Sequence, residues 1–140
     1  MENNHKLIIL WGLTIIGMIL HFNYHIGGIF YGIDIVKPGY NGKEPNSIFV
    51  IRNLFYHLPV IWILVILYAF RRWVKFALLA VSILYFVAHA GHLAGELGKE
   101  RNPSQISLLI IVLIVAGLLV REHFFAWKQG RRNSVQPDNH

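Results

Sequence analysis

The chain has 140 residues, 55% of them hydrophobic and 14% charged, with a net charge of +6 and a mean hydropathy of +0.48. A soluble domain of this size covers its exterior with more charge than that, and the absence of cysteine excludes disulfides, iron–sulfur clusters and thiolate metal sites. The basic residues gather at the ends of apolar runs with no RNA- or DNA-binding motif beside them, so nucleic acid is set aside as a partner.

Four stretches carry no Asp, Glu, Lys or Arg: Leu7 to Ile33, Asn53 to Phe70, Phe76 to Gly95 and Asn102 to Val120. Each approaches or exceeds the roughly 20 residues that a helix needs to cross about 30 Å of hydrocarbon. A bilayer core leaves no water for open backbone groups, so all four are expected as helices. The expected fold is an all-α integral membrane protein, a single four-transmembrane-helix bundle over residues 1–128. A polar cytoplasmic tail, expected to be disordered, covers 129–140. No internal repeat is visible.

The first helix is expected over 6–30. It is too long for a signal-peptide core, and His21, Asn23 and Tyr24 stand where small cleavage-site residues would be. The loop after it carries the turn signals Pro38-Gly39, Asn41-Gly42 and Pro45. The second helix is expected over 47–71. Pro59 inside it should leave the Phe55 carbonyl without its N–H partner and kink the helix. The third is expected over 73–97. The polar link Gly98 to Ser104 follows, and Asn102-Pro103-Ser104 reads as the start of the fourth, over 104–127. That last helix is the most uniformly apolar and is expected to serve packing and lipid contact.

Orientation follows from charge. With a cytoplasmic amino terminus, the inner side holds Lys6, Arg71, Arg72, Lys75, Arg121, Lys128, Arg131 and Arg132. The outer side holds Lys37, Lys43, Arg52, Lys99 and Arg101, which is 8 against 5. Both termini are therefore expected in the cytoplasm, with a bacterial inner membrane as the setting.

Five of the eight histidines fall near one end of three of these segments: His21 and His25, His57, and His89 and His92. Histidine is costly in hydrocarbon and marks function there by default. At about 1.5 Å per residue, His21, His57 and His89 stand about 21–24 Å above the inner ends, and His25 and His92 about 27–29 Å. His21 and His25 continue a 3-4-3-4 stripe with Met18, Gly28 and Gly32. Ser82, Tyr85, His89, His92 and Glu96 form a second such stripe, and Asn53 pairs with His57. Spacing of this kind marks the inward seam of a helix bundle. His123, at the inner end, is expected at the interface, while His5 and His140 lie in the tails.

Neutral imidazole is the commonest protein ligand for zinc, copper and iron. The ligand pool for a metal near the outer leaflet is therefore His21, His25, His57, His89, His92 and Glu96, with Tyr24, Tyr85 and Asn53 as supporting donors. Haem b is the other candidate cofactor, with His21 and His89 as axial ligands. Fe, Cu and Zn are not separated by the residues alone. A small membrane metalloprotein acting in redox chemistry, as an oxidoreductase, or in metal handling is the first expectation. A proton or ion relay through the histidines and Glu96 is the second, and a non-catalytic assembly subunit the third. Partners beyond the lipid bilayer would be a membrane redox protein or a second copy.

The order HxxxH, lone His, HxxH is similar to the histidine boxes of membrane desaturases and hydroxylases, larger proteins that hold more histidines on their cytosolic side; no activity is carried over. The architecture also resembles small four-helix b-type cytochromes, which hold haem between histidines of different helices. That resemblance implies a single outer-side haem, because only His123 lies near the inner leaflet.

Overall fold

The structure, a computed structural model, describes residues 2–34, 39, 42–98 and 102–132. The expected turn residues Pro38 and Asn41, residues 99–101 of the 98–104 link and the tail beyond 132 lie outside them. Every regular element among the described residues is helical. Helix α1 spans Glu2–Gly27 and runs into a 3₁₀ turn, Gly28–Tyr31, closed by Gly32. Gly32 takes φ +72° and sends its N–H back to the carbonyls of Gly28 and Ile29, a backbone shape that strains any residue with a Cβ. Helix α2 (Asn46–Arg52), a π turn (Asn53–His57) and helix α3 (Leu58–Tyr68) form one continuous rod. Helices α4 (Arg72–Leu97) and α5 (Pro103–Arg132) follow. Pro103 opens α5 where no N–H is needed, and the Asn102 side-chain oxygen caps the Ser104 N–H at 3.0 Å. The helix continues to Arg132, past the expected tail boundary at Gln129.

Among the described residues, four spans are long and apolar enough to cross a membrane: Asn4–Tyr31, Asn46–Tyr68, Arg72–Leu97 and Pro103–Gly130. At most 33% of the most apolar part of any of them is buried inside the bundle. The remaining surface is a skin of Ile, Leu, Val and Phe side chains.

The π turn is where Pro59 acts. Leu58 donates its N–H to the carbonyl of Asn53, five residues back. In that register the partner of the Leu54 carbonyl would be Pro59, which has no N–H. The Tyr85 hydroxyl of α4 donates to Leu54 O instead. The carbonyl that Pro59 strands is thus one residue earlier than a regular helix implies, and a neighbouring helix satisfies it.

Helix α5 packs along both α4 and α1, and α1 in turn along α3. The buried positions of α5 are Gln105, Leu109, Val112, Ala116, Leu119, His123 and Ala126, a 4-3 repeat sustained for three turns of seven. Those of α1 are Leu7, Trp11, Thr14, Met18 and His21 in the same rhythm. Such seams interlock at the shallow crossing angle of coiled-coil packing. A Cβ on Gly17 would overlap the Val112 side chain, so the two backbones approach closely there. The fourth span is therefore central to the bundle, not peripheral as its uniform apolarity suggested.

Candidate metal centre at the histidine cluster

The seams of α1 and α4 bring His21, His25 and His92 together. His21 is buried, and its Nε2 lies 3.1 Å from His25 Nε2 and 2.9 Å from His92 Nε2. The ring planes stand at 83° and 90° to His21, with centroids 4.6 and 4.8 Å away, so His25 and His92 each meet His21 edge to face. From α5, the Gln105 side-chain nitrogen reaches His25 Nε2 at 3.3 Å. Gln105 is 1% exposed, although it sits in the most apolar segment of the chain. Its sequence signal was its solitude there: an amide is placed in such a helix only where a partner awaits it.

Proton counting constrains this cluster. An imidazole Nε2 carries either one hydrogen or one lone pair. With Gln105 donating to His25 Nε2, that nitrogen holds a lone pair, and His21 Nε2–H must be the donor to both His25 and His92. One hydrogen then serves two acceptors. Three nitrogens ligating tetrahedral Zn²⁺ at about 2.0–2.1 Å stand roughly 3.3 Å apart, a few tenths of an ångström wider than the contacts here. Among the described residues, no group of three His, Asp or Glu has an arrangement that could hold a metal ion as it stands.

The other expected ligands are placed elsewhere. His57 is exposed and pairs through Nδ1 with Asn53 Oδ1 at 3.0 Å. It shares a small depression with Ile19, Phe22, Arg52 and Tyr56. Asn53 and His57 do share a face, but the π turn between them carries it away from the cluster. His89 is 2% exposed and lies one turn below His92. It packs against Phe55 and Tyr85, with centroids 5.4 and 6.2 Å away, and its Nε2 has no hydrogen-bond partner among the described residues. Glu96 is half-buried one turn above His92, with its backbone carbonyl accepting the Gly98 N–H. Tyr85 spends its hydroxyl on Leu54 O, and Tyr24 is exposed at the rim.

These positions bear on haem. Axial ligation by His21 and His89 requires a flat slot between the two imidazoles. His21 instead packs against His25 and His92, and His89 against Phe55 and Tyr85, so the two rings do not face across a shared space. An open cleft of about 770 Å³ does adjoin the cluster, bordered by His25 and Gln105 but by neither His21 nor His89. The His21–His89 haem does not fit this arrangement.

His123 is a second departure from the interfacial position expected of it. It is 0% exposed, and Trp11, also 0% exposed, donates its indole N–H to His123 Nε2 at 3.1 Å. Trp11 meets the edge of Tyr85 at 5.1 Å, and Tyr85 adjoins His89, so a line of buried rings runs between the two ends of the bundle. The clue in the sequence was spacing: Gln105 and His123 are 18 residues apart, five turns of helix and the same face. No known protein family, curated protein or solved structure matches the chain.

Proposed function

We propose that the chain is a small integral membrane metalloprotein whose centre is formed by His21, His25 and His92, with Gln105 as an outer partner. The observation that carries this is the approach of His25 Nε2 and His92 Nε2 to His21 Nε2, at 3.1 and 2.9 Å, with a single hydrogen to share. A divalent cation takes up all three lone pairs at once, which no proton arrangement can do. The ligand chemistry suits Zn²⁺, Cu²⁺ or Fe²⁺ without iron–sulfur or thiolate chemistry. Turning the Gln105 amide about its last bond offers its oxygen to the ion or its N–H to a bound water. The four apolar spans cross the bilayer, and the 8-to-5 balance of basic residues favours cytoplasmic termini and a centre in the outer leaflet. His57, His89 and Glu96 stay outside the first coordination sphere on this arrangement.

A proton relay across the membrane is less well supported. The line of rings between His89 and His123 passes through Tyr85 and Trp11, and the Trp11 indole N–H donates but offers no lone pair. A proton cannot be handed through it.

The test is metal content. Full-length protein purified in lipid nanodiscs and exposed to Zn²⁺ or Co²⁺ should retain one ion per chain. His21→Ala should abolish retention and His57→Ala should not. Protein that is folded, empty of metal and free of a Soret band overturns the proposal; a Soret band with no non-haem metal transfers the site to haem.

A further inference from the structure

A depression of about 220 Å³ lies between the first span and the π turn, walled by Ile19 and Phe22 of α1 and by Arg52, Tyr56 and His57 of the facing rod. Arg52 is the only Lys, Arg, Asp or Glu from Asn46 to Tyr68, the whole of the second apolar span. A cation inside such a span is costly and marks function by default. Arg52 stands six residues, about 9 Å, from the start of that span. Side chains lean toward the amino end of their helix, so Arg52 runs back toward the end of the span. There it closes an ion pair of 2.6 Å with Glu44, which precedes α2. Both partners are about half exposed. A pair so open to its surroundings contributes little to stability, so holding the fold together does not account for the charge. The floor of the depression is fixed. Asn53 Nδ2 donates to Phe49 O at 2.8 Å, so its Oδ1 accepts from His57 Nδ1–H at 3.0 Å and holds that ring in place.

We infer that this depression, with the ion pair at its rim, holds one phosphoethanolamine lipid of the bilayer, its phosphate on Arg52, its ammonium on Glu44 and an acyl chain along Ile19 and Phe22. The head of such a lipid carries the same pair of charges inverted and in the matching order, ammonium outermost and phosphate beneath it. Guanidinium binds phosphate through two parallel N–H bonds. The primary ammonium brings three N–H donors for the Glu44 carboxylate, whereas a choline head brings none. A head with a phosphate but no ammonium would set its negative charge beside Glu44 with nothing to offset it. The Tyr56 hydroxyl contacts Met18 O at 3.5 Å, the outer limit of a hydrogen bond, and can turn to a lipid ester oxygen instead. Ile19 and Phe22 are 45% and 48% exposed, an apolar wall for the chain below the head. The metal centre proposed above uses none of these residues, so the two readings stand or fall separately.

Native mass spectrometry of the full-length protein in detergent micelles tests this. The protein is titrated separately with dioleoyl phosphatidylethanolamine, with the choline and glycerol lipids of the same chains, and with soluble glycerophosphoethanolamine. The expected result is one ethanolamine lipid held per chain, about tenfold or more tighter than the choline lipid. Arg52→Gln should weaken all three lipids, the ethanolamine lipid by about tenfold or more. Glu44→Gln should abolish the preference for ethanolamine over choline and strengthen binding of the glycerol lipid. Arg72→Gln, at the opposite end of the bundle, should change nothing. Far-UV circular dichroism checks the helices of each variant; should Arg52→Gln fail to fold, Glu44→Gln, ahead of the helix and half exposed, decides alone. Equal retention of the three lipids by wild type, a wild-type preference for the glycerol lipid (a plain anion site), or a preference indifferent to Glu44→Gln overturns the inference. Binding of glycerophosphoethanolamine as tight as that of the lipid also overturns it, since the ligand would then be a soluble phosphodiester.

Discussion

Removal of His21 should disable the centre more completely than removal of any histidine outside it, because both Nε2 contacts converge on that ring. Structural zinc sites with four ligands bind with roughly 10–16 kcal/mol at pH 7, or roughly 2.5–4 kcal/mol per ligand. Three imidazoles then supply about 8–12 kcal/mol, and parting the two nitrogen contacts costs about 1–3 kcal/mol in total. The net value centres near 8 kcal/mol, a Kd of about 1 µM. Loss of one ligand weakens binding roughly 70- to 900-fold. His21→Ala, His25→Ala and His92→Ala should each show this in a chelator competition for Zn²⁺. His57→Ala, removing an exposed ring paired only with Asn53 in the π turn, should stay within about twofold of wild type. Far-UV circular dichroism checks that each variant keeps its helices. Equal affinities for His21→Ala and His57→Ala would refute the reasoning.

Two further predictions concern how the bundle holds the site. Trp11→Phe leaves the buried His123 Nε2 without its donor and should lower stability against detergent unfolding by about 1–3 kcal/mol beyond the loss of ring volume. In the double variant with His123→Leu, that part of the loss should disappear; full additivity of the two substitutions would show that the hydrogen bond contributes nothing. Tyr85→Phe strands the Leu54 carbonyl and should also cost about 1–3 kcal/mol. The cost should shrink when Pro59→Ala restores an N–H to the helix, and an unchanged cost would mean that Tyr85 acts through packing alone.

The helix pattern was legible because length and apolarity govern it: four long apolar helices appear where four were expected, with ends shifted by up to five residues. The seams of α1 and α4 were legible because polar side chains mark them at 3-4 spacing, and those stripes bring His21, His25 and His92 into contact. Three features were hidden for separate reasons. The π turn adds one residue to a helical repeat, so the face carrying Asn53 and His57 cannot be phased from a constant 100° per residue. Pro59 signals a stranded carbonyl, but which one depends on that local register. The seam of α5 lies in a stretch so apolar that periodicity vanishes, and only Gln105 and His123 mark it. Read as a pair five turns apart, they would have identified the inward face of the helix and withdrawn it from a purely lipid-facing role.

The buried rings also limit how the proposed centre can be served. From His89 toward the opposite end of the bundle, the contacts run through Tyr85 and Trp11 to His123. The Tyr85 hydroxyl is committed to a backbone carbonyl, which accepts a hydrogen bond but passes no proton onward, and the indole of Trp11 only donates. This line packs the core without carrying protons. The cluster, by contrast, reaches the surface through His25, which is exposed and borders the cleft. At the proposed centre, a metal and any proton that an imidazole releases on binding it would therefore enter and leave by the same side. A centre built this way suits chemistry or metal exchange confined to one face of the membrane. It does not suit vectorial transport, which needs alternating access from both.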